Sequence, residues 1–386
     1  MDDGYMPLSD FFFRLQNALW DFSPSLTHGM SLALHALNAV LLWRLLLALG
    51  IPGAFLGGLF FALHPLNAEA AVWLQGQPYL LALMFSLMAL HCFVRLLKED
   101  SWMWVMLTLA LSAAALLSHR LAVCLPFIAL VIHWWQAREW NLKVIVSIGG
   151  VILMLCGYIL LSIQLISQAA EGAGLSAGSR MALAGRTFFW YVRRFAWPEN
   201  LTIVYPRWNL PALSGAAWIY AAGVVVLGIL AWRLSRKSRA PMALFAAYLF
   251  AWLPFSGLFN FAFMKYSFVA DRFAYAPAAV LAVLAAGVLV SACRRLGASR
   301  QYFLVTVSTL LVILMGAAAA RQAGYFQNNS RLFARNIGIY PESWAGHGVL
   351  AQEAMDQPAF DTAASHLALA LEAKPDYTKA RLEMGR

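Results

Sequence analysis

Charged residues are scarce in this chain. They make up 12% of its 386 residues, whereas hydrophobic residues make up 62%. A soluble globular domain has roughly 25% charged and 45–50% apolar residues. The composition therefore excludes the ordinary soluble class and is typical of a protein that lies within a membrane.

Cysteine is also rare, and its distribution excludes two kinds of site. The four cysteines lie inside apolar runs, without paired spacing and without a histidine at metal-binding distance along the chain. We therefore predict neither a disulfide framework nor a zinc site, and interpret the four as small buried hydrophobes. They are Cys92, Cys124, Cys156 and Cys293.

Several signatures of soluble enzymes are missing. The sequence has no Gly-rich phosphate loop, no HExxH, no GxSxG and no dinucleotide fingerprint, so nothing supports a soluble nucleotide or hydride cofactor. The first stretch, MDDGYMPLSD, is acidic and lacks a basic region, so no cleavable signal peptide is predicted.

The net charge of +10 could indicate a nucleic-acid partner, but the placement of the charges does not. Most lysines and arginines form short clusters between apolar runs rather than covering one face of a folded domain. Such clusters are typical of topology signals in membrane proteins. We therefore predict no nucleic acid among the partners.

Long apolar runs dominate the chain from residue 28 to residue 320. Each approaches the ~20 residues that a helix needs to cross a bilayer. The predicted class is an all-α polytopic membrane helix bundle of about ten spans over residues 1–320. The spans are predicted at 28–49, 52–71, 78–97, 101–118, 120–135, 142–166, 212–233, 240–259, 273–293 and 302–320.

Orientation follows from the basic clusters, which recur at every second loop. Assigning those loops to the cytoplasm satisfies the positive-inside rule four times in succession and places both termini outside. The clusters are Arg95 and Lys98; Arg138 and Lys143; Arg233, Arg236, Lys237 and Arg239; and Arg294, Arg295 and Arg300.

Two segments differ from the spans. The outer stretch RTFFWYVRRFAWPENLTIVYPRW interleaves aromatic and basic residues, which favours an interfacial helix whose Arg193 and Arg194 either contact lipid phosphate or merely anchor the chain. Residues 321–386 form a polar helical tail that resembles a tetratricopeptide repeat (TPR). Because at least three such repeats are normally needed to bury a core, we expect the tail to cap the membrane domain or a partner, or to continue beyond Arg386.

Polar residues within or beside apolar spans are candidates for function. Asp2 and Asp3 could bind a metal ion or act as a general base, although an ordinary solvated N-terminus would look the same. His28 and His35 lie near one stripe of the first span, where hydrogen bonding between helices explains them as well as chemistry does.

Two further groups lie at predicted outer boundaries. His64-Pro65 ends one span, and Glu69 follows on a helix that restarts, so we expect Glu69 to face a polar cavity. Lys265 and Arg272 flank Asp271, where an Arg–Asp pair could be structural or the two cations could hold an anionic lipid phosphate.

Together these motifs resemble a known family. The runs HGMSLALHALNAVLLWRLL, ALHPLNAEAAVW, RRFAWPENLTIVYP and ADRFAYAPAAV resemble the transmembrane and tetratricopeptide-repeat (TMTC-like) protein O-mannosyltransferases and their bacterial relatives, in the GT-C superfamily. The resemblance covers most of the chain, and ALHPLNAEAAVW is its most specific part. It implies transfer of sugar from a polyprenyl-phosphate carrier on the non-cytoplasmic face, and placement in a bacterial inner membrane.

The resemblance also implies roles for particular residues. An acidic pair associated with catalysis and with metal or acceptor binding would be Asp2 and Asp3, with Asp3 as a tentative ligand for Mg²⁺ or Mn²⁺. The substrate-binding residues implied are His28, His35, His64, Glu69, Asp271, Arg272 and Tyr275, with Lys265, Arg193 and Arg194 as secondary contacts for the lipid phosphate.

Three features depart from the family pattern. A span normally precedes the acidic pair, whereas Met1 directly precedes Asp2, so we expect a clipped start or a lost first helix. The family usually reads S-G-R-x-D/E where this chain has Gln75-Gly76-Gln77, and S-K-E where this chain has Ser118-His119-Arg120. Both changes alter charged outer motifs.

The leading hypothesis is an integral-membrane glycosyltransferase that moves sugar from a polyprenyl-phosphate donor, as co-substrate, to a protein or glycan hydroxyl. The TPR-like tail would collect a protein or peptide acceptor. The altered Gln77 and His119-Arg120 positions favour a second hypothesis, a catalytically inactive membrane scaffold. A transporter of lipid-linked sugar is a third.

Overall fold

The computed structural model describes residues 5–136, 139–169, 175–208, 215–295 and 298–384. Within those ranges the protein is helical and contains no β-strand. The all-α prediction is confirmed for the described residues.

The first nine α-helices lie before residue 200. Prolines at or next to the first position begin several of them, where a missing N–H costs nothing. The Ser101 hydroxyl caps another by accepting a hydrogen bond from the Met103 amide. The nine are α1 (Pro7–Trp20), α2 (Pro24–Ala48), α3 (Ala54–Leu63), α4 (Ala68–Val72), α5 (Gln77–Glu99), α6 (Trp102–Ser118), α7 (Leu125–Trp135), α8 (Leu142–Ala169) and α9 (Ala177–Ala196).

Eight further helices follow. The Asn328 side chain caps the first helix of the tail by accepting from the Arg331 amide at 2.8 Å. The eight are α10 (Gly215–Ser235), α11 (Ala240–Trp252), α12 (Tyr275–Arg295), α13 (Ala298–Ala323), α14 (Asn329–Ile339), α15 (Trp344–Asp356), α16 (Phe360–Ala373) and α17 (Thr378–Met384).

Six helical segments of the described chain are long and apolar enough to cross a membrane, or seven when one bent pair counts as a span. Three shorter apolar helices, Trp102–Ser118, Arg120–Trp135 and Ala240–Phe255, coincide with further predicted spans. A polytopic membrane protein is therefore supported, and the count of ten spans stays a prediction. The six are Pro24–Ala48, Leu74–Glu99, Leu142–Ser162, Trp218–Ser235, Asp271–Arg294 and Gln301–Gln327.

The bent pair is the broken helix that the sequence predicts at His64-Pro65. Ala54–Leu63 and Pro65–Val72 meet at an angle of 55°. His64 is extended, with ψ 123°, and Pro65 has no amide hydrogen to continue the helix. The His64 Nδ1 accepts a hydrogen bond from the Leu66 amide and so caps the restarted segment. Because of this break, the Glu69 side chain is directed toward the protein core.

The core of the bundle is built around the segment that leads into α12. Phe273 stacks on Phe255 with ring centres 4.5 Å apart, and the ring of Tyr79 lies 5.9 Å from Phe255 and 6.4 Å from Phe273. All three side chains are fully buried. This aromatic cluster joins α5, the end of α11 and the segment before α12, and so helps to fix the position of residues 271–275.

The tail begins where α13 ends and packs against the membrane part of the chain. Asn336 on α14 contacts the 202–204 loop, and Trp344 at the start of α15 stacks on Tyr266 at 5.4 Å. The helical prediction for the tail is confirmed through residue 384. Its classification as a TPR and the domain boundary at residue 320 remain predictions.

Candidate functional site

The first part of the site joins α2 to α12 through His35. The Nε2 of His35 donates to the Ala62 carbonyl at 3.0 Å, which leaves Nδ1 as an acceptor. The Tyr275 hydroxyl lies 2.8 Å from that Nδ1 and donates to it. Asn38, one turn along α2, donates to the Tyr275 oxygen at 3.2 Å and to the Leu80 carbonyl at 2.9 Å. Of the predicted polar stripe of α2, His35 therefore binds α12, together with Asn38.

The second part is a buried ion pair between Glu69 and Arg272. The Arg272 Nη1 lies 2.5 Å from Glu69 Oε1, and the Arg272 amide donates to Oε2 at 3.1 Å. Both side chains are buried, and the guanidinium lies 4.2 Å from the centre of the Phe263 ring. Glu69 therefore does not face an open polar cavity, which differs from the expectation based on the sequence. The break at His64-Pro65 directs it to a cation instead.

Asp271 has a different partner from its neighbour Arg272. The Tyr205 hydroxyl donates to Asp271 Oδ1 at 2.8 Å, and the Thr202 amide donates to the Tyr205 oxygen. The pKa of Tyr205 is raised well above its usual value, mainly by burial and secondly by the nearby Asp271 carboxylate. Tyr205 thus stays protonated and can keep donating. The Arg–Asp pair considered from the sequence is replaced by Glu69–Arg272 and Tyr205–Asp271.

The end of α9 is tied to the same region through His64. The His64 Nε2 donates to the Phe195 carbonyl at 2.8 Å, and the two rings stack 4.2 Å apart. Arg194 is buried, donates to the Glu199 carbonyl and lies 5.4 Å from the centre of the Tyr205 ring. Arg193 is exposed and forms an ion pair with the Glu199 carboxylate. We call the pairs His35–Tyr275, Glu69–Arg272 and Tyr205–Asp271 the buried group. Of the two arginines, only Arg194 lies against this group.

Two further sequence candidates, His28 and Lys265, are not part of this buried group, and two more lie outside the described residues. His28 is half-buried on α2, two turns before His35. Lys265 is exposed and lies over the ring of Tyr266, 5.0 Å from its centre. Asp2 and Asp3, predicted as the catalytic pair, lie outside the described residues, so their roles remain predictions.

Gln77, one of the departures from the family pattern, is completely buried. It exchanges hydrogen bonds with Gln16 of α1, at 2.6 and 3.2 Å, and donates to the Ser31 hydroxyl at 2.9 Å. Gly76 before it permits this position, since a Cβ there would lie 2.3 Å from the Ala70 carbonyl oxygen. The altered motif thus fastens α1 to α2 and α5.

The second departure lies beneath α1. Ser9 donates to the Ser118 carbonyl at 2.7 Å, and the His119 ring lies 3.9 Å from that of Tyr79. The Arg120 guanidinium lies between Phe255 and Phe261, 4.9 and 4.8 Å from the ring centres. Both altered motifs therefore line the same side of the bundle, under α1.

A large apolar cavity lies on another side of the bundle, between α2, α5, α7, α11 and α12. Its volume is about 710 Å³, and aliphatic side chains dominate its lining. Ala276 and Ala279 of α12 belong to the lining, one and four residues beyond Tyr275. The cavity is suited to a hydrocarbon chain by its composition.

No group of three or more potential metal ligands occurs among the described residues. The described side chains therefore do not by themselves fit the divalent cation that the resemblance implies. The tentative ligand Asp3 lies outside that part of the chain.

Comparison with known proteins gives a partial match. The segment that aligns with mouse "Protein O-mannosyl-transferase TMTC3" is 28% identical over 163 residues, which is 41% of this chain and 18% of that protein. Mouse "Protein O-mannosyl-transferase TMTC2" is 33% identical over 108 residues, or 26% of this chain and 13% of that protein. The human proteins of the same names match similarly. The chain is TMTC-like over these segments.

The alignments span less than a fifth of the length of these curated relatives. No family model matches the chain, and no solved structure matches it. The relationship thus rests on those segments alone.

Sequence reasoning missed Tyr205 and the Gln16–Gln77 pair. Tyr205 stands in the quoted run NLTIVYP, but nothing in its local pattern indicates a partner at Asp271. A tyrosine at a membrane boundary is common for other reasons. Gln16 lies on the amphipathic helix α1, and nothing in the local sequence indicates that its amide is buried against Gln77.

Proposed function

We propose that this protein is an integral-membrane glycosyltransferase of the GT-C type. It moves a sugar from a polyprenyl-phosphate carrier to a hydroxyl of a protein or glycan on the extracytoplasmic face of a bacterial inner membrane. The similarity to TMTC2 and TMTC3 supports the class of reaction, because both carry the name of protein O-mannosyl-transferases. The clustered boundary charges support the orientation, with both termini outside.

One observation carries the proposal. Polar side chains of four separate segments, α2, α4, the 201–205 loop and the start of α12, are buried together at His35–Tyr275, Glu69–Arg272 and Tyr205–Asp271. Buried ionisable groups in a membrane bundle are costly, and their default interpretation is functional. The match of this group to the motifs that carry the resemblance makes a substrate-binding wall the best interpretation.

The donor would be held by its two ends. The apolar cavity of about 710 Å³ between α2, α5, α7, α11 and α12 suits the polyprenyl chain. Glu69 neutralises the charge of Arg272, so Arg272 holds the buried group in position rather than acting as a free cation. Lys265 is exposed and forms no ion pair with a described residue, which favours it as the cation that approaches the departing phosphate.

The acceptor would approach from the tail side. Asp2 or Asp3 would accept the proton of the acceptor hydroxyl as its oxygen attacks the anomeric carbon and the lipid phosphate leaves. The tail, as a TPR-like element, would collect a protein or peptide acceptor. Its contact with the 202–204 loop brings it near Tyr205 and Asp271, which supports this arrangement.

The test is sugar transfer by the full-length chain in proteoliposomes, with labelled polyprenyl-phosphate mannose as donor and a Ser/Thr-rich peptide as acceptor. We expect transfer by the wild type and a loss of about a hundredfold or more in Asp3→Asn, the size typical of a missing general base. Asp10→Asn, an exposed change on α1, serves as the matched control. Transfer by Asp3→Asn at the wild-type rate would refute the assigned base, and no transfer with any lipid-linked sugar would refute the enzyme.

The inactive scaffold remains the second candidate, because Gln77 favours it. Where the related pattern has charged residues, this chain has an amide whose polar atoms are directed to Gln16 and Ser31. A scaffold would bind a protein partner through the tail and transfer nothing. Peptide binding without any transfer in the same proteoliposomes would support it.

A further inference from the structure

A second cleft lies beside the C-terminal end of α13, next to the loop that leads to Tyr205. Its volume is about 490 Å³, and it is bounded by the outer end of α13, the 198–201 loop and α14. The basic residues that line it are Arg321 and Arg335. None of the described residues that line the cleft is acidic.

Both arginines contact one aromatic residue, Tyr325. The Arg335 guanidinium lies 4.0 Å from the centre of the Tyr325 ring, and its Nε donates to the Leu201 carbonyl at 3.4 Å. Arg321 lies beside the Tyr325 hydroxyl. Neither arginine forms an ion pair within the described chain. The cleft therefore contains two positive charges and a hydroxyl without a compensating anion.

The wall beneath the arginines is apolar. Ala317 and Ala318 of α13, Leu201 and Pro65 form it. They lie next to or within Gln301–Gln327, a segment apolar enough to span the membrane. The cleft thus has a hydrocarbon-facing side and a cationic side where the candidate span ends, as a lipid headgroup site requires.

We propose that this cleft binds the phosphate of a membrane lipid. Arg321 and Arg335 donate to the phosphate oxygens, while the apolar wall contacts the first part of the acyl chains. A free phosphate ion would use the arginines but gain nothing from the wall. The proposal needs no sugar transfer and stands whether or not the protein is an enzyme.

The test uses the full-length chain in a non-ionic detergent, titrated with dioctanoyl phosphatidic acid and followed by native mass spectrometry. We expect one molecule to bind more tightly than dioctanoyl phosphatidylcholine, whose phosphate carries a bulky cation. Arg321→Gln should weaken phosphatidic acid binding about tenfold, since one charge-assisted contact is lost. Arg321→Lys should retain part of the affinity.

Arg381→Gln is the matched control, because Arg381 is exposed on α17 and does not line the cleft. Arg335→Gln is used only with a thermal unfolding measurement, since it also removes contacts of α14. Equal affinity for the two lipids, unchanged binding in Arg321→Gln or an equal loss in Arg381→Gln would overturn the proposal. Complete displacement by millimolar inorganic phosphate would overturn the lipid source and identify a free-phosphate site.

Discussion

The Tyr205 hydroxyl donates a 2.8 Å hydrogen bond to the Asp271 carboxylate, 66 residues further along the chain. Thr202, whose amide donates to Tyr205, also receives a hydrogen bond from Asn336 of the tail. The next residue after Asp271 is Arg272, the partner of Glu69. A continuous set of contacts therefore joins the tail to the buried ion pair.

Loss of Glu69 should destabilise the protein strongly. Glu69→Ala leaves the Arg272 guanidinium buried without its counter-ion, which typically costs about 3–5 kcal/mol. The control Glu199→Ala breaks the half-exposed pair with Arg193, and pairs of that kind are worth about 1 kcal/mol or less. Thermal unfolding in detergent measures both. Similar shifts in the two variants would contradict a buried charge pair.

The double variant Glu69→Leu/Arg272→Met provides a sharper test of the same pair. Replacing both charges with apolar groups removes the unpaired cation, so we expect the double variant to be more stable than Glu69→Ala alone. The single variants Glu69→Leu and Arg272→Met are measured beside it. If the double variant loses as much stability, relative to the wild type, as the two single variants lose together, the two residues act independently.

Tyr205→Phe removes the donor to Asp271 and the acceptor of the Thr202 amide. Because both partners stay buried, the loss should be about 1–3 kcal/mol in the free energy of unfolding. Tyr220→Phe, at a side chain that is 42% exposed, should change stability little. Chemical denaturation of the two variants beside the wild type makes the comparison. An unchanged free energy of unfolding in Tyr205→Phe would contradict the stabilising contact between the 201–205 loop and Asp271.

Gln77→Ala should loosen α1. It removes the hydrogen bonds that Gln77 forms with Gln16 and Ser31, and α1 has few other polar contacts with the bundle in the described chain. We expect faster hydrogen exchange and earlier proteolysis within Pro7–Trp20. Gln75→Ala, two residues away and exposed, is the control. Equal protection of α1 in both variants would contradict the role assigned to Gln77.

Asn336→Ala should release the tail. The Asn336 amide is buried and donates to Thr202 Oγ1 at 3.0 Å and to the Val204 carbonyl at 2.7 Å. Without it, α14 should separate from the 202–204 loop more often, which limited proteolysis of the tail detects. Asn329→Ala, on the exposed side of the same helix, should leave cleavage unchanged.

The tail should become less stable in acid. The Nδ1 atoms of His347 and His366 lie 2.9 Å apart, and partial burial and then the His347 charge lower the pKa of His366. The unfolded chain therefore takes up this proton more readily, so the stability from His366 is present above about pH 6.5 and is lost as the pH falls through its lowered pKa.

Hydrogen exchange of α15 and α16, corrected for intrinsic rates, should be faster at about pH 5 than at about pH 7.5. His366→Gln should flatten this dependence, whereas His28→Gln, on α2 outside the tail, should retain it. A wild-type tail that exchanges equally at both pH values would contradict the assignment.

Much of the fold could be predicted from the sequence because it depends on local properties. Apolar length indicates the candidate spans, Pro65 indicates the break before Glu69, and the pattern after residue 321 indicates helices in the tail. Polar residues in apolar surroundings, such as His35 and Asp271, were found by the same contrast.

The partners of those residues were decided only by the tertiary structure. Periodicity specifies the face of a helix on which His35 lies, but not that Tyr275 meets it. Arg272 and Asp271 are adjacent in sequence, yet the loop before α12 directs one to Glu69 and the other to Tyr205. Hydrophobic length and charge placement are properties of a segment, so the sequence determines them alone. Which polar groups pair depends on how helices separated by tens or hundreds of residues pack, since each buried group must find its partner in another segment.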